Sequence, residues 1–123
     1  MFRSTKAFSG FSVDDIDAAR TFYGDTLGLR VSEEHGMLFL PITGDRDILV
    51  CPKKDHTPAT YTVLTFPVDD IEAAVDELDR GRVRFEHSDP FDTDDKGIFR
   101  GGGPLIAWFT DPAGNVLSLI QEA

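Results

Sequence analysis

FSVDDIDAA, at residues 11–19, returns in this chain as FPVDDIEAA, at residues 66–74. Each copy has the pattern of a strand end, an acidic helix start and an alanine-rich helix. A repeat of this kind marks one supersecondary unit present twice, and each unit must bury its apolar face against other elements. The chain is therefore predicted to be a duplication whose halves share one fold.

The first copy predicts one helix among several strands. Alternating residues at 6–13 predict a strand, Asp14 is predicted to cap the following helix, and Gly28 to end it. A weaker strand is predicted at 30–34. Two clearer strands, Met37–Ile42 and Ile48–Cys51, are separated by a turn that contains Gly44.

The second copy repeats this order of elements. We predict a strand at Tyr61–Val68, a cap at Asp69 and a helix end at Gly81. The remaining predicted strands are Val83–Glu86, Leu105–Thr110 and Val116–Ile120, and the last two are joined by the turn formers of Asp111–Asn115. Residues 88–103 are predicted to form a long loop. Each module is thus βαβββ, with module one at 1–52, a linker at 53–60 and module two at 61–123.

Composition limits the classes of protein to consider. The 123 residues carry a formal charge of −10, which argues against nucleic-acid binding because a phosphate-tracking surface needs clustered cations. No apolar run is long enough to span a membrane, and the N-terminus lacks the pattern of a secretion signal. Cys51 is the only cysteine, which suits a reducing compartment. We expect a cytoplasmic protein that binds neither nucleic acid nor membrane.

Two further motifs are informative. One is Val13-Asp14-Asp15-Ile16 leading to the run at 22–29, and the other is the run at 109–115, Phe-Thr-Asp-Pro-Ala-Gly-Asn. They resemble the first-helix signature and the final-hairpin signature of the vicinal oxygen chelate superfamily, which includes glyoxalase I, extradiol dioxygenases and bleomycin-resistance proteins. The resemblance implies a single α+β domain over 1–123, in which paired βαβββ modules form an open cup-shaped mixed sheet with the helices outside, usually in a homodimer.

Metal-dependent members of this superfamily bind a divalent ion with four side chains, typically His and Glu, from the first and last strands of each module. The resemblance places Phe8, Val50, Val63 and Ser118 at these positions. Divalent ions of this kind need imidazole, carboxylate or thiolate donors, which none of the four supplies. We therefore expect no metal and no cofactor.

Strand parity predicts which side chains face the cup. Phe8, Val63 and Thr65 should face it, since alternate residues of their strands should face the helices. A tight turn at 111–115 would place Trp108 opposite Ser118, both on the cup side. The first hairpin would place Leu40 opposite Val50, and Cys51 is expected to face away from the cup.

Several side chains offer chemistry. Trp108 could stack on an aromatic or cationic ligand or simply fill the cup. Arg100, beside three glycines, could hold an anion or form a surface salt bridge. His35, His56 and His87 form no spaced cluster, and each is expected to be a surface or hydrogen-bonded residue.

The favoured hypothesis is a metal-free binding protein of the bleomycin-resistance kind, which sequesters a hydrophobic or cationic aromatic small molecule. The predicted ligand-binding residues are Phe8, Leu40, Val50, Val63, Thr65, Arg100, Trp108 and Ser118, with no catalytic residue. The alternatives are a lyase or dioxygenase with a divergent site, a metal-free catalyst that uses Arg100, His87 or Tyr61, and a scaffold with a filled cup.

Overall fold

The computed structural model describes residues 1–42, 46–86 and 93–122. The chain divides into two compact units, Met1–Pro58 and Ala59–Ala123. Three predictions concern residues outside these ranges: the turn around Gly44, the strand-end position of His87, and the first part of the predicted loop, at 88–92.

The first unit has the predicted βαβββ order. Its elements are β1 (Gly10–Val13), α1 (Ile16–Arg20) with a π-helical continuation (Thr21–Thr26), β2 (Ser32–Glu34), β3 (Met37–Ile42) and β4 (Arg46–Pro52). The predicted helix therefore changes its winding halfway, with Leu27 N–H donating to the Phe22 carbonyl at 2.9 Å. This wider turn brings the adjacent rings of Phe22 and Tyr23 into the core together, edge to face at 5.1 Å.

The sheet of the first unit has the order β1-β4-β3-β2, with β1 and β4 parallel and the other pairs antiparallel. One face of this sheet packs against the π-helical continuation of α1, where the ring of Tyr23 lies 5.9 Å from that of Phe11. Phe11 is the register partner of Val50. The fully buried side chains of β3 and β4 lie on this face: Leu38, Leu40, Ile48 and Val50.

Two expectations about this hairpin were wrong. Leu40 pairs with Ile48, and Val50 pairs with Leu38, so the register differs by two residues from the predicted one. Leu40 and Val50 are completely buried on the helix side, whereas Cys51 lies on the opposite face beside Ser12. The cause is that β3 and β4 are nearly continuous apolar runs, in which the alternation that identifies a face is missing.

The second unit repeats the topology with β5 (Thr62–Pro67), α2 (Ile71–Arg80), β6 (Ile98–Phe99), β7 (Leu105–Thr110) and β8 (Val116–Gln121). Its sheet has the order β5-β8-β7-β6, equivalent to that of the first unit, which supports the duplication. The strand expected at Val83–Glu86 is reduced to one bridge between Phe85 and Phe109. The edge strand is instead β6, which lies inside the segment predicted to be a loop.

The second sheet has a helix side and an opposite side, as predicted. Ala107, Phe109, Leu117 and Leu119 are buried. On the same side Gln121 accepts a hydrogen bond from Ile71 N–H at the start of α2, at 2.8 Å. Trp108 is paired with Ser118, and Thr110 with Val116, which confirms the predicted hairpin register.

Both helices begin one residue later than predicted. Asp15, not Asp14, accepts the Ala18 N–H at 3.1 Å, and Asp70, not Asp69, accepts the Ala73 N–H at 3.1 Å. The N-cap is the residue whose side chain reaches the free N–H three positions on, and in each Asp-Asp pair the second residue meets this condition. Gly81 caps the end of α2, as predicted.

The α+β class and the two βαβββ modules are confirmed. Neither helix in the described part of the chain has the length and apolar content needed to cross a membrane.

Candidate functional site

In each unit, the sheet face turned away from its own helix is called the open face here. On the open face of the second unit, Trp108 is half-buried and lies across from Ser118 on the neighbouring strand. The ring of Phe99, from β6, lies 6.2 Å from the indole at an interplanar angle of 42°. Phe99 and Trp108 therefore form a tilted aromatic pair on this face.

Two hydroxyl groups lie beside this aromatic surface. Ser118 Oγ and Thr65 Oγ1 are 2.9 Å apart, since Thr65 and Ser118 are register partners in the parallel pair β5 and β8. Val63 has no register partner in β8, because Thr62 pairs with Val116 and Leu64 with the next residue, Leu117. Val63 therefore lies at an irregularity in β5. The structure thus brings Thr65, Trp108 and Ser118 together on one face, as predicted.

The open face of the first unit carries a mixed set of side chains. Ser12 and Cys51 are register partners, and Cys51 Sγ lies 3.9 Å from the sulfur of Met37. Ser12 Oγ lies 2.7 Å from His56 Nδ1, which attaches the segment after β4 to β1. His56 is therefore a hydrogen-bonded residue, as expected.

A groove of about 400 Å³ lies in the first unit. Its apolar lining consists of Phe8, Phe39, Pro41 and Ile42, and its charged lining of Lys6, Arg46 and Asp47. Phe8 precedes β1 and is 59% exposed. Of the predicted ligand-binding residues, only Phe8 is among the residues that line this groove. Leu40 and Val50 are buried on the helix side of the sheet.

In the part of the chain that the structure describes, the side chains do not form a donor set for a chelated divalent ion. Among the described residues no group of three or more His, Cys, Asp or Glu side chains lies close enough together to hold one. On the open face of the first unit, Cys51 takes the place that was predicted for Val50. This change supplies a single thiol as a possible metal ligand. At the position of Ser118, the hydroxyl is hydrogen-bonded to Thr65.

Arg100 is part of a salt-bridge network. Its Nε donates to Asp94 at 2.8 Å, and its Nη2 lies 3.3 Å from Glu72 of α2. The hydrogen bond with Asp94 is the main cause that raises the pKa of Arg100 above its ordinary value. Lys96 reinforces the network through both carboxylate oxygens of Asp76, at 2.9 and 3.0 Å. Arg100 thus holds the short hairpin around β6 against α2.

The remaining catalytic candidates are dispersed. Tyr61 is 70% exposed, and His35 lies with a φ of 54° in the turn between β2 and β3. His87 is outside the described residues. Arg100 is paired with Asp94 and Glu72 in the salt-bridge network described above.

Two features of these faces do not follow from the patterns described under Sequence analysis. Phe99 lies in the segment predicted to be a loop, although the apolar pair Ile98-Phe99 within a charged segment is typical of an edge strand. No sequence pattern indicates that the groove has a charged lining of Lys6, Arg46 and Asp47. These residues come together only because the fold places the segment before β1 next to β4.

A family model described as the Glyoxalase/Bleomycin resistance protein/Dioxygenase superfamily matches residues 8–119. The chain belongs to this superfamily. The search among curated proteins gave no match.

Solved structures show the same fold at low identity. A superfamily member from Sphaerobacter thermophilus DSM 20745 has a TM-score of 0.73 and 21% identity, over 99% of this chain and 100% of that one. TnmS3, an antibiotic binding protein from Streptomyces sp. CB03234, has a TM-score of 0.71 and 22% identity, over 98% of each chain. A glyoxalase family protein from Bacillus anthracis has a TM-score of 0.69 and 18% identity, over the full length of both chains.

Proposed function

We propose that this protein binds a small hydrophobic or cationic aromatic molecule without a divalent metal, and sequesters it rather than transforming it. The observation that carries the proposal is the aromatic surface formed by Trp108 and Phe99 on the open face of the second unit. Its support is geometric: the indole is only half-buried, and a second ring lies close enough to widen the stacking surface.

The energetics favour such a ligand. Stacking on an aromatic side chain contributes about 0.5–1.5 kcal/mol beyond area burial, and burial contributes about 25 cal/mol per Å² of apolar surface. A cation over an indole face gains about 0.5–2 kcal/mol. The formal charge of −10 would also raise the encounter rate of a cationic ligand.

Two further observations support binding rather than metal-assisted catalysis. Among the described residues, no group of His, Cys, Asp or Glu side chains is placed to chelate an ion as in metal-dependent relatives. Among proteins of the same fold, TnmS3 is an antibiotic binding protein. We propose the same class of activity for this chain, with the ligand contacting Trp108, Phe99 and Thr65.

Assembly and location belong to the same proposal. The family resemblance favours a homodimer, and the single cysteine favours the cytoplasm. Sedimentation velocity at several concentrations should give one species with twice the mass of the chain. A monomer at all concentrations would contradict the homodimer without affecting the binding proposal.

Trp108 is the only tryptophan, so its fluorescence reports directly on the site. We expect aromatic cations such as 9-aminoacridine or tetraphenylphosphonium to quench this fluorescence and to raise the melting temperature. Since Trp108→Ala removes the fluorophore, its affinity should be followed by calorimetry, where we expect a loss of tenfold or more. Tyr61→Ala, which removes an exposed aromatic ring, is the matched control and should bind normally.

A panel of aromatic cations, neutral aromatics and aromatic anions distinguishes the alternatives. If no compound changes both the fluorescence and the melting temperature, the binding proposal fails and a scaffold role is favoured. If a compound is chemically converted by the purified protein, the sequestration proposal fails and an enzyme is favoured.

A further inference from the structure

Three consecutive glycines, at 101–103, lie close to the aromatic pair of Phe99 and Trp108, and all three are exposed. The outer end of the Phe99 ring lies against this segment. A Cβ atom at Gly101 would lie 3.1 Å from Phe99 Cε1, and a Cβ atom at Gly102 would lie 2.9 Å from Cε2. Carbon atoms that are not bonded pack at about 3.5–4.0 Å, so neither position has room for a side chain while the ring keeps its place.

We infer that Gly101 and Gly102 are positioning residues of the aromatic site: they leave room for the Phe99 ring, set its separation and tilt relative to Trp108, and thereby favour ligands with fused aromatic rings. This inference rests on the proposed function and deepens it, because it names a class of ligand within the aromatic cations.

The backbone of Phe99 is held on both sides of the ring. Phe99 pairs with Ile106 of β7 and forms a bridge with Thr93. The next residue, Arg100, donates to Asp94 at 2.8 Å. Because the strand is held in this way, a side chain added to the glycine segment would displace the ring of Phe99 rather than its backbone.

The glycine segment has little freedom of its own. Four residues, 101–104, connect Arg100 to Leu105, which already pairs with Gln121 at the start of β7. Gly103 has a φ of 95°, a conformation that glycine adopts at low cost. The segment therefore reaches β7 along a path that depends on glycine, and it cannot simply withdraw from the ring.

The position of Phe99 matters for ligands that are large enough to reach it. The centre of its ring lies 6.2 Å from that of Trp108, at an interplanar angle of 42°. A single-ring cation on the indole contacts mainly the indole, whereas a fused three-ring cation extends to Phe99 and gains a second aromatic contact. Displacement of Phe99 removes the second contact only, so it lowers the preference for the larger ligand.

Near-UV circular dichroism of the ligand-free protein tests the positioning directly, since Trp108 is the only tryptophan and its bands depend on the neighbouring ring. We expect Gly101→Ala and Gly102→Ala to change these bands. Phe99→Leu lacks the outer ring atoms that the added Cβ would meet, so Gly102→Ala should change the bands no further in this background. Gly24→Ala, whose Cβ would have its nearest neighbour at 3.7 Å, is the matched control and should leave the bands unchanged.

Calorimetry tests the ligand preference, with 9-aminoacridine titrated directly and N-methylpyridinium measured by competition against it. Gly102→Ala should weaken 9-aminoacridine binding about threefold or more, and N-methylpyridinium binding by less than about twofold, because only the larger cation loses an aromatic contact. In the Phe99→Leu background the same change should weaken neither. Melting temperatures establish that all variants are folded.

Three results would overturn the inference: unchanged tryptophan bands in both glycine variants, an equal effect of Gly102→Ala with and without the Phe99 ring, or an equal loss of both ligands. Failure of the proposed function has a different signature, in which no aromatic cation binds the parent protein. The dichroism of the ligand-free variants would still decide whether Gly101 and Gly102 position Phe99.

Discussion

Trp108 and Ser118 are register partners across the last hairpin, and the Ser118 hydroxyl is in turn 2.9 Å from that of Thr65. This side-chain contact adds to the backbone pairing between β5 and β8, the strand that carries Ser118. Ser118, which the family resemblance predicts to lie at a metal-ligand position, has its hydroxyl within hydrogen-bond distance of the Thr65 hydroxyl. The indole is thus held on a regular part of the sheet rather than on a loop.

Ser118→Ala tests this structural role. The change leaves the Thr65 hydroxyl without its partner, so the free energy of unfolding should fall by about 0.5–1.5 kcal/mol. Urea denaturation measures it. Ser32→Ala, at an exposed position of β2, is the control and should change stability by less than about 0.5 kcal/mol. A stability equal to that of the parent protein would show that the hydroxyl pair contributes nothing.

The corrected orientation of β3 and β4 has a clear mutational consequence. Leu40 is completely buried on the helix side, so Leu40→Ala should cost about 2–5 kcal/mol. Leu49 lies on the open face and is half-buried, so Leu49→Ala should cost clearly less. Chemical denaturation of both variants checks the difference. A larger loss for Leu49→Ala would reverse the assignment of the faces.

The helix caps provide a paired test within each Asp-Asp sequence. Asp70→Ala should lower the free energy of unfolding by about 1 kcal/mol, because it removes the acceptor for Ala73 N–H. Asp69→Ala, one residue earlier, should stay within about 0.5 kcal/mol of the parent protein. Thermal and urea unfolding of the two variants measure this. Equal losses would mean that the carboxylates act through the helix dipole rather than as a specific cap.

The hairpin around β6 should open in acid. Partial burial of Asp94 raises its pKa, but hydrogen bonds from Ile98 N–H, the Arg100 side chain and Lys96 N–H together outweigh burial and leave the pKa below its ordinary value of 3.8. The ionised carboxylate therefore stabilises the folded hairpin. This contribution is complete above the ordinary pKa and is lost as the pH falls through the lower, folded value.

Amide exchange of Ile98 and Lys96 between pH 5 and pH 2 measures this opening. Exchange protection should fall at the acid end in the parent protein and should already be low at pH 5 in Asp94→Asn, which loses the charge that pairs with Arg100. Asp95→Asn, at the exposed neighbouring position, should behave as the parent protein. Protection that does not change with pH would rule out a role for the Asp94 carboxylate.

Local chemistry explains which features could be predicted from the sequence. The turn at 111–115 contains Pro, Gly and Asn, and Asp111 accepts the N–H groups of Ala113 and Asn115. Such a turn fixes the register of its strands, so the Trp108–Ser118 pair followed directly. The duplicated motif likewise determined the order of elements in both units.

Features that depend on distant parts of the chain could not be predicted in the same way. The apolar runs of β3 and β4 lack alternation, so nothing in them distinguished Val50 from Cys51 as the residue on the helix side. Ile98 and Phe99 form a strand of two residues only because β7 offers a free edge. The groove depends on contact between residues 6–8 and Arg46, which no local pattern encodes.

Elemental analysis of the protein purified without chelators is the most direct test of metal-free binding. We predict that zinc, nickel, iron and manganese together amount to far less than one equivalent per chain, and that treatment with EDTA leaves the affinity for aromatic cations unchanged. A near-stoichiometric content of one of these metals, lost together with ligand binding on chelation, would contradict the proposal.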